Sequence, residues 1–90
     1  MSTAAARPAE AETRSRHRFS LLADPAPDVL SRALAFFAKR CVTPALVLAR
    51  VENDTLRVDI ETRDLDDEVA DHVALCLAQI VGVREAGLDR

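Results

Sequence analysis

Two histidines, two cysteines and a dense run of acids are the residues of this chain whose chemistry could reach beyond packing. His72 and Cys76 stand one helical turn apart, the spacing at which two side chains on one helix face can share a metal ion. A zinc site needs two further ligands, and nothing in the spacing recruits His17 or Cys41, so a half-exposed histidine beside a core cysteine is expected and no metal. The acidic run "DLDDEVAD", residues 64–71, carries the oxygen ligands of a hard-cation site. It reads better as the start of a helix, with Asp64 as cap, Asp67 three residues on as in a capping box, and Asp66 and Glu68 at the positive end of the dipole. Ser20 and Ser31 lack a Gly-x-Ser-x-Gly context, and neither histidine has an evident nucleophile or orienting acid. No catalytic residue and no cofactor are expected.

The remaining candidate is the turn in "LLADPAPDVLSRAL", residues 21–34, which runs from an apolar segment through two prolines and two aspartates into a helix. Pro27 suits the first helical position, where its missing N–H costs nothing, and Asp28 complements the helix dipole. Leu30, Ala33, Leu34, Phe37 and Cys41 then form an apolar stripe at three- and four-residue spacing, ending near Lys39 and Arg40.

These elements must sit in one small domain. The chain has 90 residues, 49% of them apolar and 30% charged, a balance that folds but builds a core near the lower size limit, so partners or oligomerisation are expected. Net charge is −3, the basic residues are scattered, and Tyr and Trp are absent, so nucleic acid is not expected as a partner. Phe19, Phe36 and Phe37 lie in apolar surroundings that predict burial. No apolar run approaches the roughly 20 residues of a membrane span, and the N-terminus has no signal-peptide core, which places the protein in the cytoplasm and off the membrane. Cys41 and Cys76 are expected there as small buried hydrophobes.

Residues 1–16, "MSTAAARPAEAETRSR", read as a disordered or loosely helical tail, and the folded domain as 17–90. Alternation predicts a strand in "HRFSLLA" (17–23), with Phe19, Leu21 and Ala23 on one face. After the helix, two strand-like runs flank Asn53 and Asp54, residue types that tolerate the positive φ of a two-residue hairpin turn. Leu56, Val58 and Ile60 face one side of the second run, while Arg57, Asp59, Glu61 and Arg63 form a wet face that could serve as a polar docking surface. In the first run Ala45, Val47, Ala49 and Val51 oppose Leu46 and Leu48, so both faces are apolar apart from Arg50. Leu65, Val69, Val73, Cys76 and Ile80 continue as a second helical stripe. Gly82 ends it and "VREAGL" makes a last edge strand. The order β-α-β-β-α-β predicts an α+β, ferredoxin-like sandwich: a four-stranded antiparallel sheet with two helices on one face. In the strand order 4-1-3-2 the doubly apolar strand lies at an edge with little to protect it, and the residues Ala45, Val47, Ala49 and Val51 are expected to pair two copies into a continuous eight-stranded sheet.

Residues 17–88 resemble the ACT domain family, the regulatory module of amino-acid metabolism. The resemblance is carried by "HRFSLLA", by "PDVLSRALAFFAKR", similar to the family's Pro-Gly-Val-Leu helix entry, by the hairpin, and by "LAQIVGVREA", similar to its Gly-Val exit into the last strand. Within the family a single short module looks most like the short regulatory small subunit of acetolactate synthase. That resemblance implies a non-catalytic homodimer that binds the large thiamine-diphosphate catalytic subunit of branched-chain amino-acid synthesis and controls it. The alternative it implies is a free-standing module sensing an amino-acid effector through Asp24, Ala26, Pro27, Asp28, Val29 and Leu30 with Thr43 and Pro44 at the next strand's start; an interaction module of the same fold is a third. Asp28 and Cys41 stand where the family uses glycines. Asp28 would fill the space and repel the carboxylate that a helix N-terminus attracts, so the turn is expected to be a hinge and helix start rather than a ligand site.

Overall fold

A computed structural model describes residues 15–90. Alternation along β1 (Ser15–Ala23) turns His17, Phe19, Leu21 and Ala23 to one face, where all four are buried. α1 (Pro27–Lys39) and α2 (Asp67–Ala78) cover that face, contributing Val29, Ala33 and Phe37 from the first and Ala70, Val73 and Leu77 from the second. β2 (Leu46–Glu52), β3 (Thr55–Leu65) and β4 (Val83–Asp89) complete an antiparallel sheet of order β2-β3-β1-β4, the predicted topology. At the centre Phe19 and Phe37 meet edge to face with centroids 5.1 Å apart, a geometry that adds about 1 kcal/mol to the burial of both rings.

Pro27 starts α1 as expected, behind an extended Ala26 at the cap position. At the other end Cys41 adopts φ 57°, its N–H donates to Ala38 O (3.0 Å) and the Val42 N–H to Phe37 O (2.9 Å). That is a Schellman turn with cysteine where glycine is favoured, and it explains a correction: Cys41 is exposed rather than buried, because the residue past the cap swings its side chain out of the helix stripe. Cys76 is half-buried and Phe36 only partly covered, its ring beneath the Lys39 ammonium at 5.5 Å.

The hairpin forms as predicted, with Asn53 at φ 51° and Asp54 at φ 60°, the signs a type I′ turn requires. Two boundaries differ. β2 begins at Leu46, leaving Ala45 in the bend before it. β3 continues through Asp64 to Leu65, so α2 starts at Asp67 behind Asp66, and neither Asp64 nor a capping box opens it. Ladder pairing of Ser15 with Leu65, which buries Leu65 to 5% exposure, outweighs the local capping signal. Of the predicted stripe, Val73 is buried in the helix and Leu65 and Ile80 are buried on either side of it, while Ala70 and Leu77 join the core and Cys76 is only half-buried. The tail expected over 1–16 lies outside the described residues except for Ser15 and Arg16, which begin β1.

Candidate functional site

The entry to α1 is tied down from β4. The Asp24 N–H donates to Gly82 O at 2.8 Å, and buried Val29 packs over Gly82, where an added Cβ would lie 3.5 Å from Val29 Cγ2. Arg84 reaches the same turn: its Nε donates to Asp24 Oδ1 (2.9 Å), and its other nitrogens to Thr55 Oγ1 and the Asp54 carbonyl, both at 3.2 Å. One guanidinium thereby joins the α1 entry, the hairpin tip and the start of β4. Sixty residues separate Arg84 from Asp24, so no local pattern in the sequence signals this role.

Asp28 does not stand as a bare charge across the turn. Its carboxylate pairs with Arg32 Nε at 3.0 Å, one helical turn on, with both side chains largely exposed. The charge expected to repel a carboxylate ligand is therefore partly neutralised, though by a surface pair of small energy. Within one protomer the two halves of the predicted effector set are not brought together. Asp24, Ala26, Pro27, Asp28, Val29 and Leu30 sit at the N-terminal end of α1, whereas Thr43 and Pro44 follow its C-terminal end, a helix length of roughly 20 Å away. Thr43 and Pro44 instead line a recess of about 590 Å³ with Leu34, Ala38 and Val47, against the sheet edge.

That edge is the most exposed apolar feature described. All seven residues of β2 are exposed. Leu46 (44%) and Leu48 (46%) stand on the open sheet face, and Val47 (38%) and Val51 (60%) on the helix face, where the helix layer leaves them uncovered. The opposite edge, β4, carries Arg84, Glu85 and Asp89, charges that discourage strand addition.

His17, expected to have no acid partner, is a further polar centre. Its side chain is fully buried, and Nε2 lies 2.7 Å from Asp67 Oδ1 in the first turn of α2. Its Nδ1 and the hydroxyl of Thr62, its cross-strand partner, are buried without a hydrogen-bond partner among the described residues. Arg90 pairs with Asp71 and lies 3.6 Å from Asp67. On the open face Arg18 donates to Glu61 from two nitrogens, at 2.8 and 3.2 Å, and that carboxylate raises the guanidinium's pKa above its usual value. Cys76 Sγ is 3.6 Å from His72 Nε2, a contact without further ligands: among the described residues no three His, Cys, Asp or Glu side chains are grouped to hold a metal ion. Nor is any helix among them long and apolar enough to cross a membrane.

A βαββαβ sandwich with a tethered helix entry and one bare edge defines a ferredoxin-like α+β module. The sequence matches the ACT-like domain family over residues 9–90, and the chain belongs to that family. The match begins before the described residues and inside the segment expected as a tail. Among solved structures, the ACT domain of a GTP pyrophosphokinase from Chlorobium tepidum superposes with TM-score 0.74 at 6% identity, covering 86% of this chain and 100% of that one. The C-terminal domain of the MgtC protein from Mycobacterium tuberculosis gives 0.70 at 10% identity, covering 87% and 88%. The regulatory subunit of aspartate kinase from Thermus thermophilus gives 0.61 at 16%, covering 86% of this chain and 52% of that one. At such identities the likeness is one of fold. Comparison with curated protein sequences gives no match. ACT domains are commonly regulatory, non-catalytic modules.

Proposed function

We propose that this chain is a non-catalytic regulatory subunit that works in the cytoplasm as a homodimer and controls a larger biosynthetic enzyme, with acetolactate synthase of branched-chain amino-acid synthesis as the favoured partner. The observation that carries the reading is β2, a strand apolar on both faces and exposed along its whole length. Strands of this kind persist where something pairs with them.

Antiparallel pairing of two β2 strands overlaps all seven residues when the two-fold axis passes at Ala49, setting Val47 opposite the partner's Val51 and Leu48 opposite the partner's Arg50. Because antiparallel pairing exchanges ends, it brings the partner's Thr43 and Pro44 to the end of the sheet that holds Asp24 and the start of α1. We take the effector set divided within one protomer to be shared between two, with the partner's β2 three strand positions from β1 in the paired sheet. Pairing of Asp28 with Arg32 favours keeping the second reading, an amino-acid sensor, in view.

The test mixes the purified chain with a purified acetolactate synthase catalytic subunit, and in parallel titrates the chain alone with valine, leucine and isoleucine by calorimetry. Co-elution with a changed turnover supports the regulatory subunit. Binding of an amino acid without co-elution replaces it with the sensor, and neither result leaves an interaction module of another enzyme.

A further inference from the structure

We infer that a second site, for a small polyanion bearing phosphate or carboxylate groups, lies at the end of the sheet opposite the α1 entry, where Arg16, Arg18, Arg63 and Arg90 line one open cavity of about 320 Å³. The inference is independent of the regulatory reading and of the dimer.

Four guanidiniums on one cavity are set against two carboxylates, Glu61 and Asp89, in a chain whose net charge is −3. Glu61 is already engaged by Arg18, and Arg90 by Asp71 and Asp67. Of the described arginines, only Arg16, Arg57 and Arg63 have no hydrogen-bond or ion-pair partner among the described residues, and two of those three face this one cavity. The backbone brings them there. Between the Ser15–Leu65 and His17–Thr62 pairs β1 advances two residues and β3 three, a bulge that sets Arg63 and Asp64 together against Arg16. Bulges re-aim side chains, and this one brings Arg16 and Arg63 to the same cavity while Asp64 stays outside its lining. The planar guanidinium fork fits phosphate and carboxylate oxygens in pairs.

The test is a titration of isotopically labelled protein at low ionic strength with sodium pyrophosphate, and separately with citrate, using sodium chloride at matched ionic strength as the control. Saturable amide shifts confined to residues 16–18 and 61–63 are expected, with Arg16→Gln and Arg63→Gln each weakening binding about tenfold. Arg57→Gln, which removes the unpaired arginine outside the cavity, should leave it unchanged. Pyrophosphate binding alone assigns a phosphate ligand and citrate binding alone a polycarboxylate. Absence of saturable shifts up to about 10 mM of either anion, or equal weakening by Arg57→Gln, would overturn the site.

Discussion

Replacing Val47 with lysine should break the proposed dimer while leaving the protomer folded. Val47 lies on the helix face of β2 at 38% exposure, and under the Ala49-centred register it meets the partner's Val51, which is 60% exposed in the free chain. Full burial of such a side chain is worth about 1.5–3 kcal/mol, and roughly half of that, about 1 kcal/mol, remains to be gained when a half-exposed valine is covered. A two-fold axis counts every substitution twice, so Val47→Lys removes at least about 2 kcal/mol and weakens association about thirtyfold or more. The two ammonium groups brought against apolar rows add to that loss. Folding of the protomer should change by less than about 0.5 kcal/mol, since the site is on its surface. Sedimentation equilibrium between about 10 and 500 µM, a range set by the micromolar affinity of a modest interface, reads the result directly. A wild-type chain that stays monomeric throughout, or a lysine variant that dimerises as well as the wild type, would refute the reasoning.

Three further substitutions test the fold around the two candidate sites. Cys41→Gly relieves the left-handed backbone at the end of α1 and should raise stability by about 1 kcal/mol, a midpoint gain of about 4–8 °C by thermal unfolding; an unchanged midpoint would show that the turn carries no strain. Thr62→Val removes a buried hydroxyl without a partner among the described residues, so urea unfolding should show a gain of about 1 kcal/mol. A loss of that size would mean that the hydroxyl is satisfied. Arg84→Met frees Asp24 and the hairpin tip together, costing about 1 kcal/mol for a largely exposed cluster, with faster amide exchange at both Asp24 and Asp54. Acceleration at only one of them would show that Arg84 does not couple the two.

The features legible in the sequence are those with local causes. Pro27 at a helix start, Asn53 and Asp54 at a turn needing two positive φ angles, and the alternation of Leu56, Val58 and Ile60 all express preferences of neighbouring residues, and the structure follows each. The misplaced features have distant causes. Leu65 fits a helical stripe equally well, and only its pairing with Ser15 across the sheet assigns it to β3. Cys41 reads as core because the stripe includes it, until the helix ends two residues sooner and Cys41 takes a left-handed turn. The Asp24–Arg84 and His17–Asp67 pairs were invisible for the same reason, joining residues sixty and fifty positions apart.

Both departures from the family's glycines fall at the ends of α1, and their consequences differ. At Cys41 the backbone still takes the positive φ that the missing glycine would adopt freely, so that departure bears on stability. At Asp28 the residue is helical and needs no special backbone, and the turn before it is held by Asp24, Gly82 and Arg84 rather than by anything at position 28. Besides its modest part in the helix dipole and the pair with Arg32, that departure bears on what approaches the helix N-terminus from outside. If the effector set is shared between two protomers, as proposed, an effect of Asp28 on an amino-acid ligand depends on pairing of the β2 edge. An Asp28→Gly variant should therefore gain amino-acid affinity in the wild-type background and show no gain when Val47→Lys is present, a coupling that a binding site contained in one protomer would not produce.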